Sequence, residues 1–249
     1  MAAQPALDPR LRKRIDELAA RYGLPVGASD RLAALAELLV LDPTAPTAVR
    51  APARVLDDHL ADSLTALGVE RVRRAARVAD LGAGAGLPGL ALAIALPGAR
   101  IALVESSARK CGFLARAVAS VHVANAIVVH TRIEEWEEGR GRFDVVTARA
   151  LAPLAVITEY AAPLLRRGGA LVAWRGQRDP GAEAEAAAAA SELGLAVQEP
   201  LRVVPYPGAR HRHLHLMLKA MDTPDRFPRR PGMAVKRPLG RHASDREQR

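Results

Sequence analysis

The sequence predicts an α/β protein: a seven-stranded, mostly parallel sheet covered by helices on both faces, with a helical extension before it and a basic tail after it. Three observations carry that reading. From Arg77 onward, apolar runs of strand length alternate with helical stretches, the pattern of parallel strands joined by crossover helices. The first run ends in a glycine-rich turn that opens a helix. The last two runs are joined by a short segment without helical periodicity, which implies a hairpin and hence an antiparallel strand at one edge.

Taken in order, residues 1–41 read as helices. Leu11, Ile15 and Leu18 recur at helical spacing, as do Leu32, Leu35, Leu38 and Leu39. Asp42–Pro52 carries three prolines and reads as a loop. Helical pattern resumes from Ala53 to Leu67, which closes an N-terminal extension over residues 1–67. The sheet domain spans 68–219. Its strands are expected at Arg77–Leu81, Arg100–Glu105, Ala126–His130, Phe143–Ala148, Gly169–Trp174, Val197–Val204 and Leu214–Lys219. Helices fall between them at Leu90–Leu96, Lys110–Val121, after Ala148 to about Leu165, and at Ala182–Leu193, where Gly194 stops the helix. Residues 220–249 hold eight Lys/Arg and four Asp/Glu, a net of +4, with little apolar content. They read as a basic tail that is extended at Pro228, Pro231 and Pro238 and becomes ordered on a bound partner. A tail that packs back on the fold is the competing reading.

Composition limits the function. Hydrophobic residues make up 49% of the 249, enough for a packed core. No apolar run reaches the length of a membrane span and the N-terminus has no secretory apolar segment, so a cytoplasmic protein is expected. The single cysteine, Cys111, excludes an intrachain disulfide and reads as a small packed residue. The formal charge of +9 points to a polyanionic partner, nucleic acid before membrane. His211, His213 and His215 alternate along a strand, but Arg210 and Arg212 interleave and no carboxylate lies near, so no metal site is expected.

The run Asp80-Leu81-Gly82-Ala83-Gly84-Ala85-Gly86-Leu87-Pro88-Gly89 follows a strand and opens a helix. Glycines there permit a tight turn and close approach of a ligand to the main chain. Glu105 ends the next strand, where a carboxylate can accept from both hydroxyls of a ribose. The loop fits two cofactors: Gly84-x-Gly86-x-x-Gly89 suits a dinucleotide, and Asp80-x-Gly82-x-Gly84-x-Gly86 suits S-adenosylmethionine. The long segment before the loop and the closing hairpin favour the methyl donor.

Several pieces, in order, resemble the RsmG family (also called GidB), the 16S ribosomal RNA guanine-N7 methyltransferases. The loop run through Leu114 is one. Others are His59-Leu60-Ala61-Asp62-Ser63-Leu64, Arg132-Ile133-Glu134-Glu135, Phe143-Asp144-Val145-Val146-Thr147-Ala148-Arg149-Ala150, and the ending Phe227-Pro228-Arg229-Arg230-Pro231-Gly232 with Lys236-Arg237-Pro238-Leu239. The chain departs from the family at Asp42–Pro52, at Trp174-Arg175-Gly176 in place of L-K-G, and at Met233-Ala234-Val235. The resemblance implies a Rossmann-like class I methyltransferase fold, S-adenosyl-L-methionine as cofactor, and ribosomal RNA of the small subunit or its precursor as substrate for a monomeric enzyme. It also implies roles. Asp80, Gly82, Gly84, Gly86 and Leu87 would line the methionine and adenosine side, Glu105 would hold the ribose, and Ile133 and Glu134 would face the adenine. Arg149 would stand at the mouth of the site and position substrate, with no general base needed. Arg175, Arg212, Arg229, Arg230, Lys236 and Arg237 would meet RNA. A methyltransferase of the same fold on another substrate, a non-catalytic RNA-binding protein and a dehydrogenase are the alternatives.

Overall fold

A computed structural model describes residues 7–240. Its residues cluster into two compact units: the chain through Thr131 with Val204–Arg210, and Arg132–Val203 with the chain from His211. No helix among the described residues is long and apolar enough to cross a membrane.

The first unit opens with helix α1 (Pro9–Tyr22). Asp8 caps it by accepting from the Leu11 N–H at 2.8 Å, and Gly23, in the left-handed region, ends it. Ile15 and Leu18 turn inward, as do Leu32, Leu35 and Leu39 of α2 (Ala28–Leu41), so the predicted periodicity is the buried face. The proline-bearing loop after α2 is organised by Arg50, whose guanidinium donates to the carbonyls of Leu39 at 3.1 Å and Ala45 at 2.8 Å. A helical run from Pro52 to Gly68 follows, and its Val55–Ala61 stretch is π-helix. Strands β1 (Arg77–Leu81), β2 (Arg100–Glu105) and β3 (Ala126–His130) then pair in parallel, β2 in the centre. Helices α3 (Gly89–Ala95) and α4 (Ala108–Val121) make the crossovers. All three strands have the bounds that the sequence predicts.

The second unit holds β4 (Phe143–Arg149), α5 (Leu154–Ala161), β5 (Leu165–Arg175), α6 (Pro180–Glu192), β6 (Leu195–Val197), β7 (Leu201–Arg202) and β8 (His213–Lys219). β4 and β5 are parallel; β8 lies antiparallel between β5 and β6, and β7 also pairs with β8. Among the described residues the strands therefore number eight rather than seven, because the expected Val197–Val204 strand is two short pieces. The Gln198 N–H still donates to the Leu216 carbonyl at 2.9 Å, but Pro200 has no N–H and the ladder breaks there. The antiparallel strand is also one place in from the edge: β8 inserts, and the β6–β7 segment forms the rim.

The tail through Gly240 departs most from expectation. It folds back on its own unit instead of awaiting a partner. Phe227 is buried, as is Ala234 in the short helix α7 (Met233–Lys236). A Cβ on Gly240 would lie 2.1 Å from the Glu185 carbonyl oxygen, so the chain is pressed against α6 at that point. The rest of the expected tail, 241–249, lies outside the described residues.

Candidate cofactor site and basic surface

In the first unit, β1 delivers Asp80 and the glycine loop, and β2 delivers Glu105. Asp80 is buried, and its Oδ2 accepts from the Gly89 N–H at 2.9 Å. It thereby fastens the end of the loop to the start of α3. Gly82, Gly84 and Gly86 all have positive φ, which lets the chain turn within three alternate residues. They differ in surroundings. A Cβ on Gly86 would strike Leu90 Cδ1 at 2.3 Å, and one on Gly89 would strike Leu103 Cδ2 at 2.3 Å, so both are packing glycines. A Cβ on Gly84 would meet only the Gly82 carbonyl oxygen, at 3.6 Å. Gly84 thus faces open space where Gly86 and Gly89 face protein. Leu87 is buried.

Glu105 reaches this same point. Its Oε2 accepts from the Gly84 N–H at 3.2 Å, and its Oε1 from the Ser107 N–H at 2.9 Å. Lys110 Nζ stands 3.7 Å away, a partner that the sequence reading missed although it lies one turn into α4. Glu105 is only 5% exposed, yet it has a cationic neighbour and two backbone donors. A carboxylate offers about four lone-pair positions, so it can still accept from a ligand's hydroxyls. Cys111 packs beneath it: the thiol donates to the Glu105 carbonyl at 3.3 Å, and burial, with Glu105 nearby, pushes its pKa up. That is the environment of an inert packed thiol rather than of a nucleophile.

In the second unit, Arg149 ends β4, paired in register with Trp174. Ala150 follows with φ of +54°, a non-glycine residue in the left-handed region. Such strain costs on the order of 1–3 kcal/mol and gathers where a strand end serves a ligand. Arg175 donates to the Ala152 carbonyl at 3.1 Å and so braces the same turn; its side chain is engaged within the protein. Ile133 and Glu134 begin a 3₁₀ turn (Ile133–Glu135). The Glu134 carboxylate accepts from the Gly232 N–H of the tail at 2.9 Å and has Arg132 at 3.6 Å. Burial, then Glu134, pushes the Tyr160 hydroxyl up to about 12. The side chain expected near adenine therefore holds the tail.

The basic residues separate into two kinds. Arg229 is engaged inside: its Nε donates to Glu159 Oε1 at 2.8 Å and its Nη2 to the Arg237 carbonyl at 2.8 Å. Glu159 is almost fully enclosed, with a side chain 1% exposed, and nothing in its local sequence announced it as a partner for a residue 70 positions on. Arg229, expected to meet RNA, is thus held by an acidic partner that the sequence did not suggest. Arg230, Lys236 and Arg237 are exposed, and Arg212 is half-buried on the approach to β8. His213 Nδ1 lies 2.9 Å from the Gly176 carbonyl, whereas His215 is buried beside Glu183, and burial lowers its pKa.

The chain is similar to known proteins over most of its length. A family model described as GidB, rRNA small subunit methyltransferase G, matches residues 43–214. The ribosomal RNA small subunit methyltransferase G of Rubrobacter xylanophilus is 40% identical over 196 residues, covering 76% of this chain and 75% of its own. That of Chloroflexus aggregans is 41% identical over 199 residues, covering 78% and 82%. Among solved structures, a SAM-dependent methyltransferase from Aquifex aeolicus superposes with a TM-score of 0.53 at 14% identity, covering 68% of this chain and 93% of that one. A predicted O-methyltransferase from Agrobacterium tumefaciens gives 0.51 at 27%, covering 66% and 81%. The solved structures share the α/β methyltransferase fold, and the sequence relatives fix the lineage: the chain belongs to the GidB family, rRNA small subunit methyltransferase G.

Proposed function

We propose that this protein transfers the methyl group of S-adenosylmethionine to N7 of a guanine in small-subunit ribosomal RNA or its precursor, in the cytoplasm and as a monomer. The observation that carries the cofactor assignment is the pairing of Gly84 with Glu105: open space over a glycine, flanked by a buried carboxylate with acceptor capacity to spare. The residues fit the group. Glu105 would accept from the ribose hydroxyls. Gly82, Gly84 and Leu87 would line the methionine and adenosine side, with Asp80 fixing the loop from beneath and Gly86 packing it on Leu90.

Bound S-adenosylmethionine supplies an electrophilic methyl on a sulfonium. Guanine N7 has an in-plane lone pair and no proton, so the protein need not remove one. Its contribution is to align the base with the methyl and exclude water, and positioning of this kind can supply several orders of magnitude in rate. Arg149, at the end of β4 beside the strained Ala150, would position substrate. Arg175 supports it indirectly by holding Ala152.

Calorimetric titration with S-adenosylmethionine tests the site. Gly84→Val should abolish binding. Glu105→Ala should weaken it by about 1.5–3 kcal/mol through lost charge-assisted hydrogen bonds. Wild-type affinity in both variants would remove the cofactor from this loop.

A further inference from the structure

We infer that the Arg229–Glu159 pair is a positioning device that turns residues 229–237 into a rigid cationic surface for RNA phosphates; this rests on the RNA reading above. The two side chains meet in a forked arrangement, and the Arg229 N–H also points at Glu159 Oε1 at 3.4 Å. Hydrogen bonding to Glu159 raises the Arg229 pKa further, so the guanidinium is permanently charged. Nη2 also closes the turn onto the Arg237 carbonyl. Glu134 grips the same turn at the Gly232 N–H, and backbone bonds from Met233 to Arg230 and from Lys236 to Gly232 complete it.

The result is a compact knob with its internal cation neutralised and its outer ones free of that duty. Arg230, Lys236 and Arg237 are exposed on one closed segment of eight residues. A cavity of about 390 Å³ opens beside them, lined by Lys236, Arg237 and Arg229 with Pro238 and Leu239. Glu192 also lines it, with Arg226 paired to that carboxylate at 3.0 Å. Cations held in place lose less side-chain and backbone entropy on meeting a phosphate than cations on a free tail. RNA is the polyanion favoured here because the cavity has a polar, arginine-rich wall and the segment exposes only Val235 as a large apolar residue.

The pair makes a prediction that bulk charge does not. Glu159→Gln removes a negative charge, so electrostatics alone says that RNA should bind more tightly. Loss of the strut says that it should bind more weakly. Affinity of the full chain for a fluorescent single-stranded RNA is measured against salt, where each phosphate contact contributes about 0.7 to the log–log slope. Arg230→Ala/Lys236→Ala/Arg237→Ala should lower the slope by about 2. Glu159→Gln should lower it by at least 1 and weaken binding severalfold at constant salt, whereas Glu138→Gln, the same charge change on an exposed side chain, should bind as wild type or tighter. Arg229→Lys, which keeps the charge but loses the fork, should fall between, and it decides the matter should Glu159→Gln fail to fold. Binding by Glu159→Gln and Arg229→Lys at wild-type strength and slope would overturn the positioning role. An unchanged slope in the triple variant would overturn it too, by taking residues 229–237 off the RNA altogether.

Discussion

Asp80 and Glu105 are both buried carboxylates at the ends of neighbouring strands, yet their partners differ. Asp80 accepts from Gly89 within the protein, and Glu105 shares the Gly84 N–H with open space. The motif names both residues; only the atoms around them separate a group that holds the loop from one that can hold a ligand. Lys219 was invisible as a special residue. It is 4% exposed at the end of β8, and its ammonium donates to the Leu193 carbonyl at 3.2 Å and to the Thr223 hydroxyl. Burial depresses its pKa to about 8, with Asp222 opposing and Arg167 assisting. The unfolded chain therefore keeps this proton from about pH 8 to 10.5 when the folded chain has released it. Stability contributed by this group rises with pH across that window, and below pH 8 the charged form carries its full penalty. Lys219→Met should stabilise the protein at pH 7 by on the order of 1–3 kcal/mol and flatten the rise. Thr223 still donates to Leu193 at 3.0 Å in the variant, so no carbonyl is orphaned. Denaturant unfolding of the two proteins at pH 7 and pH 10 checks this; parallel pH profiles would contradict it.

At the scale of elements, the glycine loop and α3 form one mechanical piece. Gly89 lets α3 lie against β1 and β2, where a methyl group would also meet Asp80 Cβ at 3.0 Å. Gly89→Ala should push the helix outward and destabilise the fold by about 1–3 kcal/mol, read as a lowered Tm. Gly84 has no such neighbour, but its φ of +53° strains any residue with a side chain, so its substitution should lower Tm as well as ligand affinity. A Gly89→Ala protein with wild-type Tm would contradict the packing role. β1, β2 and β3 were legible because each is an apolar run closed by a turn or cap. β5 begins four residues before the predicted Gly169, because Leu165 pairs with Phe143 ahead of an irregularity at Arg166, Arg167 and Gly168 that reads as a break in sequence. The split rim strand needed the pairing geometry at Pro200. The folded tail was hidden for a different reason. Its apolar anchors are only Phe227 and Ala234, and its fixings, Glu134 and Glu159, lie far back in the chain. Composition reads such a segment as solvated because long-range ion pairs leave no periodic trace.

Across the molecule, the net charge of +9 and the cofactor loop point the same way, to catalysis on a polyanion. Charge alone could not separate interior cations from outward ones, and Arg175 and Arg229 turned out to be engaged inside. The glycine loop was legible because its motif is local; which arginines face out was not, because only packing decides that. The central claim is transfer to guanine N7, and one measurement addresses it directly. Small-subunit ribosomal RNA from cells lacking the protein is incubated with purified protein and S-adenosylmethionine, then cleaved chemically at N7-methylguanosine. The account predicts one new protein-dependent cleavage site, absent with Glu105→Ala at limiting cofactor. No cleavage, or a methyl group found on another atom of the RNA, would contradict it.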